Sequence, residues 1–215
     1  MISGAIFDLD GTLLDSNGYW DLAPAAYLRT QGKTAKPDLA RTIFAMTVPE
    51  AAGYIIREYG LEQTPKEITT GVNAAMERFY LEEIPLKAGA AEAVQKLAGM
   101  HIPMAIASVT DRKLVGAVLR RFDLDTCISC IVTVDDVGVG KQEPDVYLRA
   151  AELIGSDPEN TLVFEDALHA LRTAGKAGFR TVGVYDAASD DQQEEIRRVS
   201  RYYIRSFAEL DSVLG

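Results

Sequence analysis

The chain has 215 residues, an apolar fraction of 47% and a formal net charge of −10, which allows one medium domain or two small ones, each with a core. The acidic balance argues against a nucleic-acid partner, and no apolar run approaches membrane-spanning length. The N-terminus carries Asp8 and Asp10 where a signal peptide would be apolar, so the expected location is cytoplasmic.

Residues 5–12 read Ala-Ile-Phe-Asp-Leu-Asp-Gly-Thr. An apolar run without alternation predicts a strand buried on both faces, as in a parallel sheet. The run stops on Asp8, with Asp10 two residues on. Carboxylates this close repel unless a cation or a proton separates them. Ends of parallel strands are also where open α/β sheets bind ligands. The stretch therefore suggests a metal-assisted site with Asp8 as candidate nucleophile.

Residues from about 19 to 82 lack strand-like runs. Apolar residues at helical spacing (Tyr19, Leu22, Ala26; Leu39, Ile43, Phe44; Ala51, Tyr54, Ile55; Val72, Ala75, Met76, Phe79) predict roughly four helices. Pro24 suits a first helical turn, and Pro37, Pro49 and Pro65 each lie near a helix start. Thr47 and Thr64 are candidate N-caps. Trp20 is either an aromatic of this lobe's core or a wall facing substrate.

Beyond Ile84 the pattern changes. Helices at 90–98, 111–121, 144–154 and 168–176 alternate with strands at 102–107, near 127–134, at 161–164 and at 181–184, with a loop leading to Lys141. That alternation predicts an α/β fold with a parallel sheet. A polar helix at 190–199, an edge strand at 202–204 and a closing helix at 207–214 complete the chain. The expected organisation is a discontinuous core, 1–15 and 86–215, with a helical lobe at 16–85. The junctions at 15–18 and 82–89 would be hinges, and the lobe a lid.

Cys127 and Cys130 are spaced C-x-x-C, which can mark a redox pair or half a zinc site. Their strand-like surroundings place residues three apart on opposite faces, so two buried free thiols are expected. His101 and His169 are expected as surface or capping residues without chemistry.

Three strands end in polar residues of different kinds: Asp8 with Asp10, Ser108, and Glu165 with Asp166. Together with Lys141 they supply what phosphoryl transfer needs. Asp8 is a carboxylate nucleophile, and Asp10 can protonate a leaving oxygen and later deprotonate water. Ser108 and the amides after it, at a helix start, can hold phosphate oxygens. Lys141 neutralises charge, and Asp8 and Asp166, with Glu165 beside them, can hold Mg²⁺.

Asp8-Leu-Asp10-Gly-Thr12, Ser108, Lys141 with Pro144, and Phe164-Glu165-Asp166, in this order, resemble the four motifs of the haloacid dehalogenase superfamily. The helical insert resembles the cap of its β-phosphoglucomutase/phosphoglycolate phosphatase-like branch. The resemblance implies a Rossmann-like sheet, essential Mg²⁺ and an aspartyl-phosphate intermediate. It implies Asp8 as nucleophile and metal ligand, and Asp10 as acid/base that gives its backbone carbonyl to the metal. Thr12 would orient Asp10. Ser108 would bind phosphate, followed by Val109 and Thr110, and Lys141 would be the third-motif lysine. Glu165 and Asp166 would be the metal carboxylates. Because strand neighbours face opposite ways, Asp166 alone of that pair is expected as a direct ligand.

Two features depart from the pattern. β-Phosphoglucomutases carry a His near the position of Trp20 and a cap Arg near that of Pro49. The third motif reads Gly140-Lys141-Gln142-Glu143-Pro144 in place of Gly-Lys-Pro-x-Pro. The expected activity is a Mg²⁺-dependent phosphatase acting, as a monomer, on a small phosphorylated metabolite, sugar phosphates included. The alternatives are a sugar-phosphate mutase, a haloacid dehalogenase and a non-catalytic binding module.

Overall fold

A computed structural model describes residues 1–43 and 46–215; Phe44, expected beside Leu39 and Ile43, lies outside the described residues. Strands β1 (Gly4–Phe7), β2 (Met104–Ser108), β3 (Cys130–Thr133), β4 (Thr161–Glu165), β5 (Arg180–Val184) and β6 (Tyr202–Ile204) form one sheet in the order β3-β2-β1-β4-β5-β6. Every pairing is parallel. The order reverses direction at β1, which has β2 on one side and β4 on the other. Ligands of open α/β sheets bind outside the carboxyl ends of the strands at such a switch point, and Asp8 follows β1 directly.

Both faces of the sheet are covered, which explains the unbroken apolar run in β1. Ile6 and Val163 belong to one buried cluster with Ala105, Val146, Tyr147 and Ala150. On the alternate positions Phe7 and Phe164 stack at 4.6 Å with their planes 10° apart, and Phe207 leans on both at 6.1 and 5.6 Å. Offset aromatic contacts of this kind add about 0.5–1.5 kcal/mol each beyond area burial.

The helices of the insert are α1 (Asn17–Thr30), α2 (Leu39–Ile43), α3 (Val48–Tyr59) and α4 (Pro65–Glu82). Those of the remainder are α5 (Ala90–Gly99), α6 (Arg112–Arg121), α7 (Val134–Val137), α8 (Asp145–Ile154), α9 (Leu168–Lys176), α10 (Gln193–Val199) and α11 (Asp211–Leu214). The chain divides into two compact units, Met1–Asp15 with Pro85–Gly215, and Ser16–Ile84. Among the described residues no helix is long and apolar enough to cross a membrane.

Local chemistry sets the helix starts of the insert. Thr64 Oγ1 accepts the Glu67 N–H at 3.3 Å, and the Glu67 carboxylate accepts the Thr64 N–H at 2.7 Å, a reciprocal capping box. At α3 the Glu50 carboxylate accepts both the N–H and the hydroxyl of Thr47. Pro49 and Pro65 fall in the first turn of α3 and α4.

Several expectations are corrected. Pro24 sits inside α1 rather than in its first turn, because the helix already begins at Asn17. The polar Ser16-Asn17-Gly18 stretch is thus cap and helix rather than loop. Cys127 lies in a turn ahead of β3, and both cysteines are free but only half-buried. The loop to Lys141 contains the short helix α7, and the closing segment splits into a 3-10 turn at Phe207–Glu209 and α11.

The two linkers are tied together within the core unit. The Asp15 N–H donates to Pro85 O at 3.0 Å, and the Lys87 N–H to Leu13 O at 2.8 Å, with an antiparallel bridge between Leu14 and Leu86. Lys87 Nζ donates to Tyr185 O at 2.8 Å and to Asp186 Oδ2 at 2.5 Å. This clasp fixes the paired linkers to the end of β5.

In the insert, α1 and α4 approach through Gly71, where a Cβ would meet the Tyr27 ring at 2.1 Å. Alanine in a helix gains about 1 kcal/mol over glycine, whereas overpacking costs about 1–3 kcal/mol. With a contact this short the clash wins. Gly71→Ala is expected to loosen α1 against α4, read as faster amide hydrogen exchange in both helices; unchanged or slower exchange would contradict the packing.

Candidate active site

Phe7 pairs with both Ile106 and Phe164, and the Asp8 N–H extends the ladder to Phe164 O at 3.0 Å. The register therefore brings Asp8, Ser108, Glu165 and Asp166 to one edge of the sheet. Glu165 shares the parity of Val163 and so faces α8, whose Tyr147 lies in the same cluster. Asp166 lies one residue past the end of β4, where strand alternation no longer holds. Glu165 and Asp166 consequently converge: Asp8, Glu165 and Asp166 each offer a carboxylate oxygen within 4.8 Å of the others.

Lys141 enters this group from the loop before α8. Its Nζ donates to Asp8 Oδ1 and, at 3.0 Å, to Glu165 Oε2. The Tyr147 hydroxyl donates to the same Oε2 at 3.4 Å, and Nζ lies 5.7 Å from the Tyr147 ring centroid. Lys141, Asp8, Glu165 and Asp166 are all at most 5% exposed.

Burial pushes the Asp8 carboxyl up, with Lys141 opposing and Asp10 adding to the rise. Glu165 is driven well above the carboxylate range by burial and then by Asp8. Asp166 is pushed up to about 7 by burial, then by Asp8 and Asp186. Burial pulls Lys141 down, but Asp8 and Glu165 outweigh it and hold the ammonium charged. Like charges about 4 Å apart repel by about 4 kcal/mol at an effective dielectric of 20. One lysine cannot neutralise three such carboxylates.

The donor set suits a hard divalent cation, being all carboxylate oxygen. An ion with bonds of about 2.1 Å needs its ligand oxygens no more than about 4.2 Å apart, so little contraction of this cluster is required. Asp8 and Asp166 are the natural holders, since Glu165 Oε2 is occupied by Lys141 and Tyr147.

Ser108 is fully buried at the end of β2, and its Oγ accepts the Thr110 N–H at 3.0 Å. The helix start expected to hold phosphate lies further on. Asp111 caps α6 and takes the N–H groups of Lys113 and Leu114. Thr12, expected to orient Asp10, donates its hydroxyl to Asp166 Oδ1 at 3.2 Å. Asp10 Oδ2 instead accepts the Thr110 hydroxyl at 2.7 Å. Val109 is exposed. Trp20 is 47% exposed in the first turns of α1, so it is not part of the insert's core around Tyr27, Leu28, Leu39 and Ile55.

Sequence reasoning missed Tyr147 and Asp186. Asp186 stands two residues beyond β5, close to the strand end as Asp8 and Asp166 are to β1 and β4, so the same strand-end rule could have found it. Nothing in the sequence marks Tyr147 apart from an ordinary core aromatic. His169 is exposed, but burial and then Lys141 lower its pKa, which puts its imidazole near the lysine.

A singly reversed parallel sheet with a buried lysine–carboxylate cluster at its switch point defines an α/β enzyme with a Rossmann-like core. The chain belongs to the haloacid dehalogenase-like hydrolases, whose family model matches residues 2–178. It is 31% identical over 192 residues to the phosphorylated carbohydrates phosphatase of Thermotoga maritima, covering 88% of each chain. It is 27% identical over 188 residues to hexitol phosphatase B of Escherichia coli K12, covering 85% of this chain and 83% of the relative. A solved Thermotoga maritima structure, provisionally assigned as a β-phosphoglucomutase, superposes with a TM-score of 0.86 at 26% identity, over 99% of this chain and 98% of that one.

Binding of a cation to the folded cluster alone must raise stability. Millimolar Mg²⁺ is expected to raise the melting temperature, and Asp166→Asn to remove most of that rise. An equal Mg²⁺ effect in the variant would show that the ion binds elsewhere.

Proposed function

We propose that this enzyme is a Mg²⁺-dependent phosphatase of small phosphorylated metabolites and that it works through an aspartyl phosphate. The observation that carries the reading is the buried Asp8 carboxylate, paired with Lys141 beside Glu165 and Asp166. Phosphatase relatives named for phosphorylated carbohydrates and a hexitol support sugar phosphates as the substrate class.

Asp8 attacks phosphorus, forming a new P–O bond as the bond to the leaving oxygen breaks. Asp10 gives its proton to that oxygen, releasing the alcohol. Asp10 then takes a proton from water, whose oxygen attacks the phosphorus. The acyl phosphate breaks, freeing inorganic phosphate and restoring Asp8. Lys141 neutralises Asp8 and the incoming phosphate, and the Ser108 hydroxyl and the Val109 amide are the groups at the end of β2 assigned to phosphate oxygens. Asp8 and Asp166, with the backbone carbonyl of Asp10, would hold Mg²⁺, which would supply Lewis-acid neutralisation of the phosphoryl charge.

The helical unit inserted behind Thr12 is assigned to substrate selection. Trp20, exposed near its start, is the residue of that unit assigned to substrate. Trp20→Ala is expected to raise KM several-fold for a sugar phosphate while leaving kcat nearly unchanged; a fall in kcat alone would remove the assignment.

Asp8→Asn is expected to abolish phosphate release across a panel of sugar phosphates. Asp10→Asn should slow it by about 10²- to 10⁴-fold, the usual span for a lost acid/base. Full activity in Asp8→Asn would end this reading. Conversion of a hexose 1-phosphate into its 6-phosphate, in place of phosphate release, would assign a mutase.

A further inference from the structure

Thr110 stands two residues beyond the end of β2 and has two hydrogen bonds to give. Its N–H goes to Ser108 Oγ at 3.0 Å, and its hydroxyl goes to Asp10 Oδ2 at 2.7 Å. Both donors are thereby spent inside the protein, so Thr110 has none left for a phosphate oxygen. We propose that Thr110 is a positioning residue for Asp10, holding its carboxyl group in place for proton transfer to the leaving group.

Thr110 is itself held from behind, because the Ser108 contact closes a tight Ser-Val-Thr turn on the strand that neighbours β1. Rotating the Asp10 carboxyl group therefore costs the Thr110 hydrogen bond. Proton transfer demands this order of placement, since a candidate acid must lie within hydrogen-bond reach of the oxygen it serves.

The inference rests on the role given to Asp10 above, and it predicts a dependence on the leaving group. An alkyl phosphate ester needs a proton on its departing oxygen, whereas a nitrophenyl phosphate departs as a stable anion and does not. kcat/KM reports the steps up to alcohol release. Thr110→Val is expected to lower kcat/KM about 10- to 100-fold for a sugar phosphate, part of the range for a general acid, and by less than about threefold for nitrophenyl phosphate. Thr110→Ser should retain both values within about twofold. Inhibition by inorganic phosphate should be unchanged in Thr110→Val, because Thr110 holds no phosphate oxygen.

Thr110→Ala, measured alongside, covers the case in which valine does not fit the turn. Equal losses on both esters, or weakened inhibition by phosphate, would overturn the proposal. Asp10→Asn is the reference. If it shows the leaving-group contrast and Thr110→Val and Thr110→Ala do not, the positioning role falls and the acid role of Asp10 stands. If Asp10→Asn lacks the contrast, the acid role falls and the positioning role with it.

Discussion

Lys141 Nζ lies between Asp8 and Glu165 in a buried cluster, and the arrangement of the strand ends depends on that placement. Desolvating a charge costs several kcal/mol, which an ion pair recovers only with good geometry and satisfied donors. Here two carboxylates and the ring of Tyr147 meet the ammonium, and Tyr147 also satisfies Glu165. The cluster is nevertheless short of positive charge. Burial and mutual repulsion raise all three carboxyls, and Asp166 is shared with Thr12 and lies near Asp186. Stability alone would favour apolar residues at these positions. A site poised to accept a cation and an anionic group together is the physical sense of keeping them charged.

The sheet makes this cluster possible. Residues from β1 and β4, far apart in sequence, become neighbours through parallel pairing, while Lys141 arrives from the loop ahead of α8. The faces beneath are sealed by the stacked phenylalanines on one side and by α8 and α9 on the other. Relocating one strand by a single residue would turn Glu165 toward the phenylalanine face and leave Lys141 with one partner fewer.

Much of this was legible in the sequence for local reasons. Buried strands lack alternation, helices repeat at 3.6 residues, and Thr-x-x-Glu strings with an internal proline announce their own helix starts; each signal needs only neighbours in the chain. The strand ends carrying Asp8, Ser108 and Glu165–Asp166 could be read the same way. What escaped depends on contacts across the fold. The hydroxyls of Thr12 and Thr110 were assigned by proximity in sequence, yet each serves the carboxylate that strand pairing brings to it. Tyr147 reads as core from its composition, and only its placement beside Glu165 gives it a second role. Pro24 was misplaced because an early helix start at Asn17 left it in the interior, where tertiary packing tolerates the lost hydrogen bond. Cys127 was taken for strand because β-branched neighbours mimic one.

The paired linkers carry a different lesson. Leu13–Asp15 and Pro85–Lys87 are zipped side by side and clamped by Lys87, so residues 16–84 leave and re-enter the core through adjacent points. From the core's side the whole insert is equivalent to one long hairpin loop. The entropy of closing a loop grows only with the logarithm of its length, so the core is nearly indifferent to what fills that gap. Such a junction is a graft point. Different helical modules can be exchanged there over evolutionary time, each bringing its own selectivity, while the machinery on the other side of the ribbon is inherited unchanged.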